Sequence, residues 1–557
     1  MKREHELEEK FIADVLVLGG GPAGAWAAWR AASEGAKVIL ADKGYVGTSG
    51  ATAPGGTTLL VIPPIAELRE QAVAARLKAG GYLSENAWIH RVLDQVDINL
   101  QLLEQWGYPF RQDEQGHTLR THLHGPEYMQ LMRRVIRKLG VRILDQSPAL
   151  ELLADEYGVG GARGVNRLTG KSWEVRAHAV IMATGGCTFL SKGLGCNVLT
   201  GEGLLMASEA GAELSGMEFS RQYAPSFADG SVTRGRMLAW STLYDEHGNA
   251  LHQGDRTFGS LQKLLLDGPV YASIDLADTP EKQTFLRKAH PIFFMPLERA
   301  GINPFTDKFP LTLRYEGTMR GTGGLRLIGE ECATSVAGLY AAGDAASREK
   351  VTGAVSGGGA YNASWAICSG TWAGSGAALY ALNQKRDAGS RSLRSVGRYG
   401  LAAGQASSER LETKPLIEAI QREVLPLEIN YFRSEPVIRA SLDRLHKLKA
   451  ALEGRIVDDA TVQGKVRARE TAGMLTVARW MYTAALARKE TRGLQSLAEY
   501  PQLDPRQTHR LIVSGIEDIR IRAEKVPHAQ ECLAAIAPQS EVSRGSKPIA
   551  RKEELLT

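Results

Sequence analysis

The run from Ala13 to Lys43 constrains this chain more than any other. An apolar stretch, ADVLVL, enters Gly19-Gly20-Gly21-Pro22-Ala23-Gly24, the small-residue pattern AWAAWRAASEG follows, and KVILADK closes the segment. The outer pieces read as parallel strands buried on both faces and the middle piece as a helix, so the segment is a βαβ unit opening a doubly wound α/β sheet. Gly19 permits the tight turn, Gly21 lets backbone approach a pyrophosphate, and Gly24 lets helix and strand pack closely. Pro22 and Ala23 open a helix whose first N–H groups face the phosphates. Asp42 ends the second strand 18 residues beyond Gly24, where a carboxylate accepts from ribose hydroxyls, and Lys43 follows it. Strand, helix and acidic residue in register predict dinucleotide binding.

The chain has 557 residues, more than one hydrophobic core usually serves, so several structural units are expected. Its sixty glycines gather around Gly19, Gly185, Gly323 and Gly357, which suggests backbone lying against a ligand. Helical patterns fill 66 to 106 and 127 to 139, and VRILDQ, ALELLA and AHAVIMATGG return to strands. From 226 to 322 the βαβ alternation stops, which predicts an inserted α+β capping domain between the two parts of a Rossmann-like dinucleotide-binding domain, 1–225 and 323–390. Residues 391–535 read as a separate, charged helical domain and 536–557 as a flexible tail. The stretch from Val351 to Gln384 carries no charge, yet its glycine and serine content fits a loop entering a buried helix better than a membrane span.

A formal charge of +5, with no dense Lys/Arg tract, disfavours nucleic-acid binding. Five cysteines without a CxxC pair encode neither a disulfide framework nor a metal or iron–sulfur site and point to a reducing compartment. The charged N-terminus, MKREHELEEK, lacks a signal-peptide core, so the expected location is cytoplasmic.

Further segments stand in a telling order: TSGATAPGG at 48–56, VIMATGG at 180–186, TGEGLLMASEAGAELSGMEF at 200–219, GLYAAGDA at 338–345, then ARKETRG and YPQLD. With GGGPAG and ILADK they make the chain resemble the flavoprotein subunits of the fumarate reductase and succinate dehydrogenase superfamily. That superfamily includes L-aspartate oxidase and the adenylylsulfate reductase alpha subunit, and LEINYFRSEPVIRASLDRLHKLKAAL is most similar to the latter. The resemblance implies FAD as cofactor, with its adenosine ribose on Asp42 and its pyrophosphate over Gly19 to Gly24. It also implies that the Ser49 to Gly56 loop, including Gly50, Gly55 and Gly56, lies against the isoalloxazine ring. Ala183, Thr184 and Gly185 line the cofactor, and Gly343 and Asp344 adjoin its ribityl and phosphate groups. Ser356, Ala360 and Tyr361 open a helix toward the flavin. Succinate dehydrogenases attach FAD through a histidine that aligns with Ser49, so the flavin is expected to be noncovalent.

Three substrate-site elements of that family are missing here. Its QFHPT histidine aligns with Ala224, the HYTMGG histidine with Met319, and the histidine and arginine of HGANRLGG with Thr352 and Ser356. A carboxylate-binding cation or a proton donor cannot be replaced by Ala, Met or Ser without changing the chemistry, so simple succinate or fumarate turnover is disfavoured. Arg234, Arg236, Arg320 and Tyr315 are the candidates to repopulate the site, with Arg314 beside them, since an arginine fork suits a carboxylate, sulfonate or phosphate. Cys187, the THLHG pair His122 and His124, His290, Trp26 and Trp29 read as packing, hydrogen-bonding or capping residues, and no metal site is expected.

These features predict an FAD-dependent oxidoreductase moving hydride or electrons between a small anionic substrate and an external partner. By the same resemblance a ferredoxin-like iron–sulfur subunit is a candidate for that partner. A self-contained flavin oxidase or dehydrogenase, and a catalytically silent flavin-binding assembly protein, are the alternatives.

Overall fold

The computed structural model describes residues 9–112, 115–233, 235–251, 260–400, 410–452, 456–457 and 461–527. Arg234, Cys532 and the tail expected at 536–557 lie outside the described residues.

Five parallel strands form the sheet that positions the site: β1 (Val15–Leu18), β2 (Val38–Ala41), β3 (Arg142–Leu144), β4 (Ala179–Met182) and β5 (Leu339–Ala341). Their order is β5-β4-β1-β2-β3. Every residue of β1, β2, β4 and β5 is buried, which is why these strands read as unbroken apolar runs. The chain leaves β1 toward β2 and later returns on its other side. The carboxyl end of β1 is therefore the topological switch point, and Gly19 to Gly21 follow it directly.

Helix α1 (Pro22–Ser33) packs on this sheet, and helix α2 (Gly358–Leu382) crosses it. A Cβ on Gly370 would stand 2.4 Å from the Ala23 carbonyl oxygen, and one on Gly374 2.4 Å from that of Ala27. The uncharged stretch is thus a buried helix whose small residues let two backbones meet. No helix among the described residues is long and apolar enough to cross a membrane. Trp26 and Trp29 pack as expected, with Trp106, and the Trp26 indole N–H donates to the Tyr128 hydroxyl at 2.7 Å. The helical pattern over 66–106 is broken into Ala66–Ala79 and Asn86–Gln105, because Gly81 takes a left-handed φ of 62° against the Arg492 side chain.

The segment between the two parts of this domain folds on its own core. Strands Tyr223–Phe227, Phe309–Tyr315, Tyr271–Ser273 and Thr242–Tyr244 form one antiparallel sheet, backed by helices Ser260–Asp267, Pro280–Ala289 and Pro291–Arg299 around Phe227, Phe294, Phe305 and Phe309.

The C-terminal helical domain expected from 391 onward is present, but it is not separate in its packing and not helical to its end. Helix α3 (Val462–Ala487) packs on helix Glu202–Glu209, and Met474, Val477 and Trp480 share one continuous core with β1, β2 and α1. The end of this region is also not helical: His509–Ser514 and Arg520–Lys525 form a hairpin whose first strand pairs with Leu214–Ser215. Apolar residues at helical spacing along α3 conceal this, because its buried face surrounds nearly the whole helix. A fully buried chain of ion pairs adds a second tie: Arg488 to Glu218 at 2.7 Å, Arg488 to Glu490 at 3.0 Å, and Arg492 to Glu490 at 2.6 Å.

Candidate functional site: a cofactor cleft and an adjoining cationic chamber

A cleft of about 570 Å³ opens at the carboxyl ends of β1 and β2. Gly19, Gly21, Pro22, Ala23, Asp42, Lys43, Ser49, Gly50, Ala183, Thr184, Gly185, Gly343 and Asp344 line it, and Gln146, Arg167, Gln463 and Arg467 reach its far end. Gly24 lies beneath: a Cβ there would fall 1.8 Å from the Gly19 carbonyl oxygen, so only glycine lets α1 start this close to the strand. Gly19 has φ 103°, and a Cβ on it would strike the Ala183 carbonyl at 2.3 Å. No side chain caps the N-terminus of α1 and its first turn is free of acidic residues, so its N–H groups are left to an anion.

Asp42 is fixed rather than free. One carboxylate oxygen accepts from the Gly20 amide at 2.6 Å, and the other accepts from the Gly44 amide at 2.8 Å and the Ser49 hydroxyl at 2.5 Å. The first oxygen keeps a lone pair for a ribose hydroxyl. The Thr184 hydroxyl, which lines the cleft, is buried with no hydrogen-bond partner among the described residues. Dipole, spared lone pair, glycine cradle and orphaned hydroxyl together fit a dinucleotide.

The loop 49–56, expected along the flavin ring, divides between two places. Ser49 and Gly50 stand against Asp42 and Gly21. Gly55 and Gly56 face a second cavity, also of about 570 Å³. Lys43 is engaged by Glu202 at 2.5 Å and Glu470 at 3.0 Å. Burial alone would depress it, but the two carboxylates hold it above its ordinary value.

The second cavity lies between the glycine loops and the cap. Gly359 and Ala360 of α2 form part of its wall with Gly55 and Gly56, while Met237, Phe285, Lys288, His290, Ile292 and Phe293 close it from the cap. Arg320 lines it and makes a long, 3.9 Å contact with Glu316. Tyr361 stands behind, its ring 4.0 Å beneath the Arg76 guanidinium, whose NH2 group donates to the Ser356 carbonyl at 3.3 Å.

Two other substrate-site expectations come out differently, and a third residue is placed near the chamber by its backbone. Tyr315 does not reach this chamber: it is 2% exposed, packs on Phe189 and Tyr223, and burial pushes its hydroxyl up to about 12. Arg314 spends its guanidinium on the carbonyls of Ala228 and Gly230, both at 2.8 Å. Arg236 sits on the 3₁₀ turn Gly235–Trp240, between the lining residues Thr233 and Met237. Of the positions where family histidines are missing, Met319 is buried and Thr352 donates to the Arg348 carbonyl. Asp344 is paired with the fully buried Arg348, and burial pushes its carboxyl up.

The sequence reading missed His122, His124, Arg111 and Lys288 as lining residues and set His290 aside as a cap. Their signal was weak because it is tertiary: the short strands Thr57–Thr58 and His122–Leu123 pair and carry the histidines onto the Gly55–Gly56 loop.

The family model of an FAD binding domain matches residues 14–235, and that of the fumarate reductase flavoprotein C-terminal region matches residues 421–540. The chain belongs to the fumarate reductase and succinate dehydrogenase flavoprotein superfamily. This flavoprotein uses FAD and is an FAD-dependent oxidoreductase. It is 27% identical to the L-aspartate oxidase of Mycobacterium tuberculosis over 91% of its own length and 96% of that protein. Its fold matches the quinol fumarate reductase flavoprotein of E. coli with a TM-score of 0.77 at 21% identity, covering 93% of this chain and 97% of the other. It matches adenylylsulfate reductase of Archaeoglobus fulgidus with a TM-score of 0.75 at 20% identity, covering 94% and 97%.

Proposed function

We propose that this flavoprotein turns over a small anionic substrate in the second cavity and exchanges the electrons with an external partner. The observation that carries this reading is Arg320. It is the lining arginine brought in where the cap returns to the FAD domain, and a Cβ on Gly359 would stand 4.0 Å from its guanidinium. Its ionic contact with Glu316 is long, at 3.9 Å, so the fork is available to orient a carboxylate, sulfonate or phosphate.

Bound FAD supplies two-electron chemistry at its ring. The residues named for it are Gly19 to Gly24, Asp42, Ser49, Gly50, Ala183 to Gly185, Gly343 and Asp344 in the cleft, with Gly55, Gly56, Ala360 and Tyr361 toward the chamber. Ser49 offers a hydroxyl committed to Asp42 where covalent relatives carry a histidine, so the cofactor is held without a covalent bond. The cap excludes water and supplies the apolar wall, Arg320 fixes the anion, and Arg236 is its proposed companion.

The electron partner in this reading is a ferredoxin-like iron–sulfur protein, and the location is cytoplasmic, where the four described free thiols stay reduced. The test is anaerobic titration of the FAD-loaded protein with candidate anions, comparing wild type with Arg320→Met. Bleaching by one anion in wild type and its loss in the variant is the expected result; bleaching unchanged in the variant overturns the assignment. Rapid reoxidation in air would favour a self-contained oxidase, and slow reoxidation accelerated by a reducible ferredoxin favours the partner.

A further inference from the structure

The buried ion-pair chain of Glu218, Arg488, Glu490 and Arg492 sets two acids against two bases and is balanced by itself. A fifth charge is buried against it. Glu349 opens the short helix Glu349–Thr352, is 1% exposed, and its Oε2 accepts from the Ser215 hydroxyl. Ser215 belongs to the strand Leu214–Ser215, which pairs with Gly324–Leu325 on one side and with the C-terminal hairpin on the other. A Cβ on Gly216 would stand 3.5 Å from the same Glu349 oxygen, so this carboxyl lies against the segment that leads to Glu218.

The cations around Glu349 are spent elsewhere. Arg488 donates to Glu218 at 2.7 Å, to Glu490 at 3.0 Å and to the carbonyls of Gln507 and His509, and Arg492 serves Glu490. Arg510 pairs with Glu85 at 2.7 Å and donates to the Leu83 carbonyl, while its Nε makes no hydrogen bond. The His509 imidazole on the same strand is pushed below its ordinary value by burial, then by Arg488, and adds no charge near neutrality. On the acid's own segment Arg348 takes Asp344 and three carbonyls, and Lys350 stands 5.0 Å over the Trp88 ring. Two oxygens are left over: Glu349 Oε1 and Glu218 Oε2 are both buried without a hydrogen-bond partner among the described residues. A carboxylate oxygen stranded in the interior is costly, and a second acid nearby adds to the cost. After burial itself, Glu218 is the strongest opponent of ionisation at Glu349, with Arg510 and Arg488 pulling the other way. One proton answers both oxygens, because a carboxylic acid donates from one oxygen and accepts at the other.

We propose that Glu218 and Glu349 share one proton and form a pH-released latch, which holds the strand Leu214–Ser215, and through it the C-terminal hairpin, to the FAD domain. The proton sits on Glu349 and is donated to the free oxygen of Glu218, whose other oxygen accepts from Arg488. Ser215, Glu349, Glu218 and Arg488 then make one unbroken run of hydrogen bonds across three segments distant in sequence. When the proton leaves, two buried carboxylates confront each other with no added cation, and the strand beside them loosens. A carboxyl that keeps its proton in the folded state beyond the ordinary range contributes fully at low pH, and the contribution is lost as pH rises through neutrality.

The experiment uses the whole FAD-loaded chain. Infrared spectroscopy reads the carbonyl stretch of a protonated carboxyl, which ionised acids lack. Hydrogen exchange followed by mass spectrometry reads the protection of Leu214–Ser215 and His509–Ser514, corrected for the intrinsic effect of pH. Wild type should show the protonated-acid band at about pH 6 and lose it by about pH 8.5, while protection of the two strands falls about tenfold or more. Glu349→Gln keeps an acceptor for Ser215 but cannot ionise, so it should lack the band and protect both strands equally at the two pH values. Ser215→Ala removes a donor that favours the ionised form of Glu349, so loss of the band should move to higher pH. FAD content and the thermal transition show that each variant is folded. A band absent from wild type or left in place by Glu349→Gln overturns the shared proton, as does a midpoint that Ser215→Ala lowers or leaves unmoved. Protection that falls with pH as much in Glu349→Gln as in wild type overturns the latch.

Discussion

Lys43 and Glu470 meet at 3.0 Å although 427 positions separate them, so the end of β2 is fastened to the middle of α3. The contact closes one end of the cofactor cleft, and Glu202 completes it at 2.5 Å. Replacing Glu470 by Gln leaves Lys43 with one carboxylate in a partly buried place. The expected cost is about 1–3 kcal/mol, read as a lower thermal midpoint in both FAD-loaded and FAD-stripped protein. An unchanged midpoint would show that the pair contributes nothing to the tie.

Glu349 supplies a dependence on pH. It is fully buried beside Ser215, and burial first, then the neighbouring Glu218, push its carboxyl up to about 7, against the opposing pull of Arg510. A carboxyl raised in the folded state favours folding most below its ordinary value, and this contribution is lost as pH rises toward 7. Glu349→Gln should therefore gain relative stability on going from pH 5 to pH 8. Parallel urea titrations at the two pH values check the sign; a variant equally destabilised at both would reject it.

The crossing of α1 and α2 predicts a steric penalty. Gly374→Leu drives a side chain into the Ala27 carbonyl and Arg30, with an expected loss of about 1–3 kcal/mol or more. Because Ala23 begins the phosphate-facing turn of the same α1, retention of FAD during gel filtration should fall with it.

Acid precipitation should release all of the flavin as FAD. Ser49 hydrogen-bonds Asp42 and offers no imidazole for attachment. Yellow colour remaining with the pellet would contradict noncovalent binding. Asp42→Ala, which also frees the Gly20 and Gly44 amides, should raise the FAD dissociation constant about tenfold or more.

Thiol reactivity tests the role of Cys187. Burial raises the thiols of Cys187, Cys196, Cys332 and Cys368, so all four should resist a thiol reagent in the native protein and react after denaturation. Cys187→Ala should preserve substrate-dependent flavin bleaching; its loss would make the thiol a redox participant.

The cofactor half of the molecule was legible because its requirements are local. Gly19, Gly21, Gly24 and Asp42 sit in one βαβ unit, where strand, turn and helix are set by neighbours in sequence. The chamber was not legible for the opposite reason. His122, Lys288 and Arg320 belong to three segments whose meeting depends on the Thr57–Thr58 pairing and on the cap's own core, neither of which leaves a periodic mark. Tyr315 misled because proximity in sequence to Arg320 says nothing about the side to which a strand residue points. The hairpin at 509–525 was hidden by the helical texture before it.

Because α3 shares its core with β1 and β2, and Gln463, Arg467 and Glu470 finish a cleft begun at Gly19, the cofactor pocket cannot be completed until α3 has been made. The first βαβ unit leaves the ribosome more than 400 residues before its last wall does. Flavin loading thus becomes a late event, and a nascent chain stalled before α3 would leave the apolar face that α3 covers exposed.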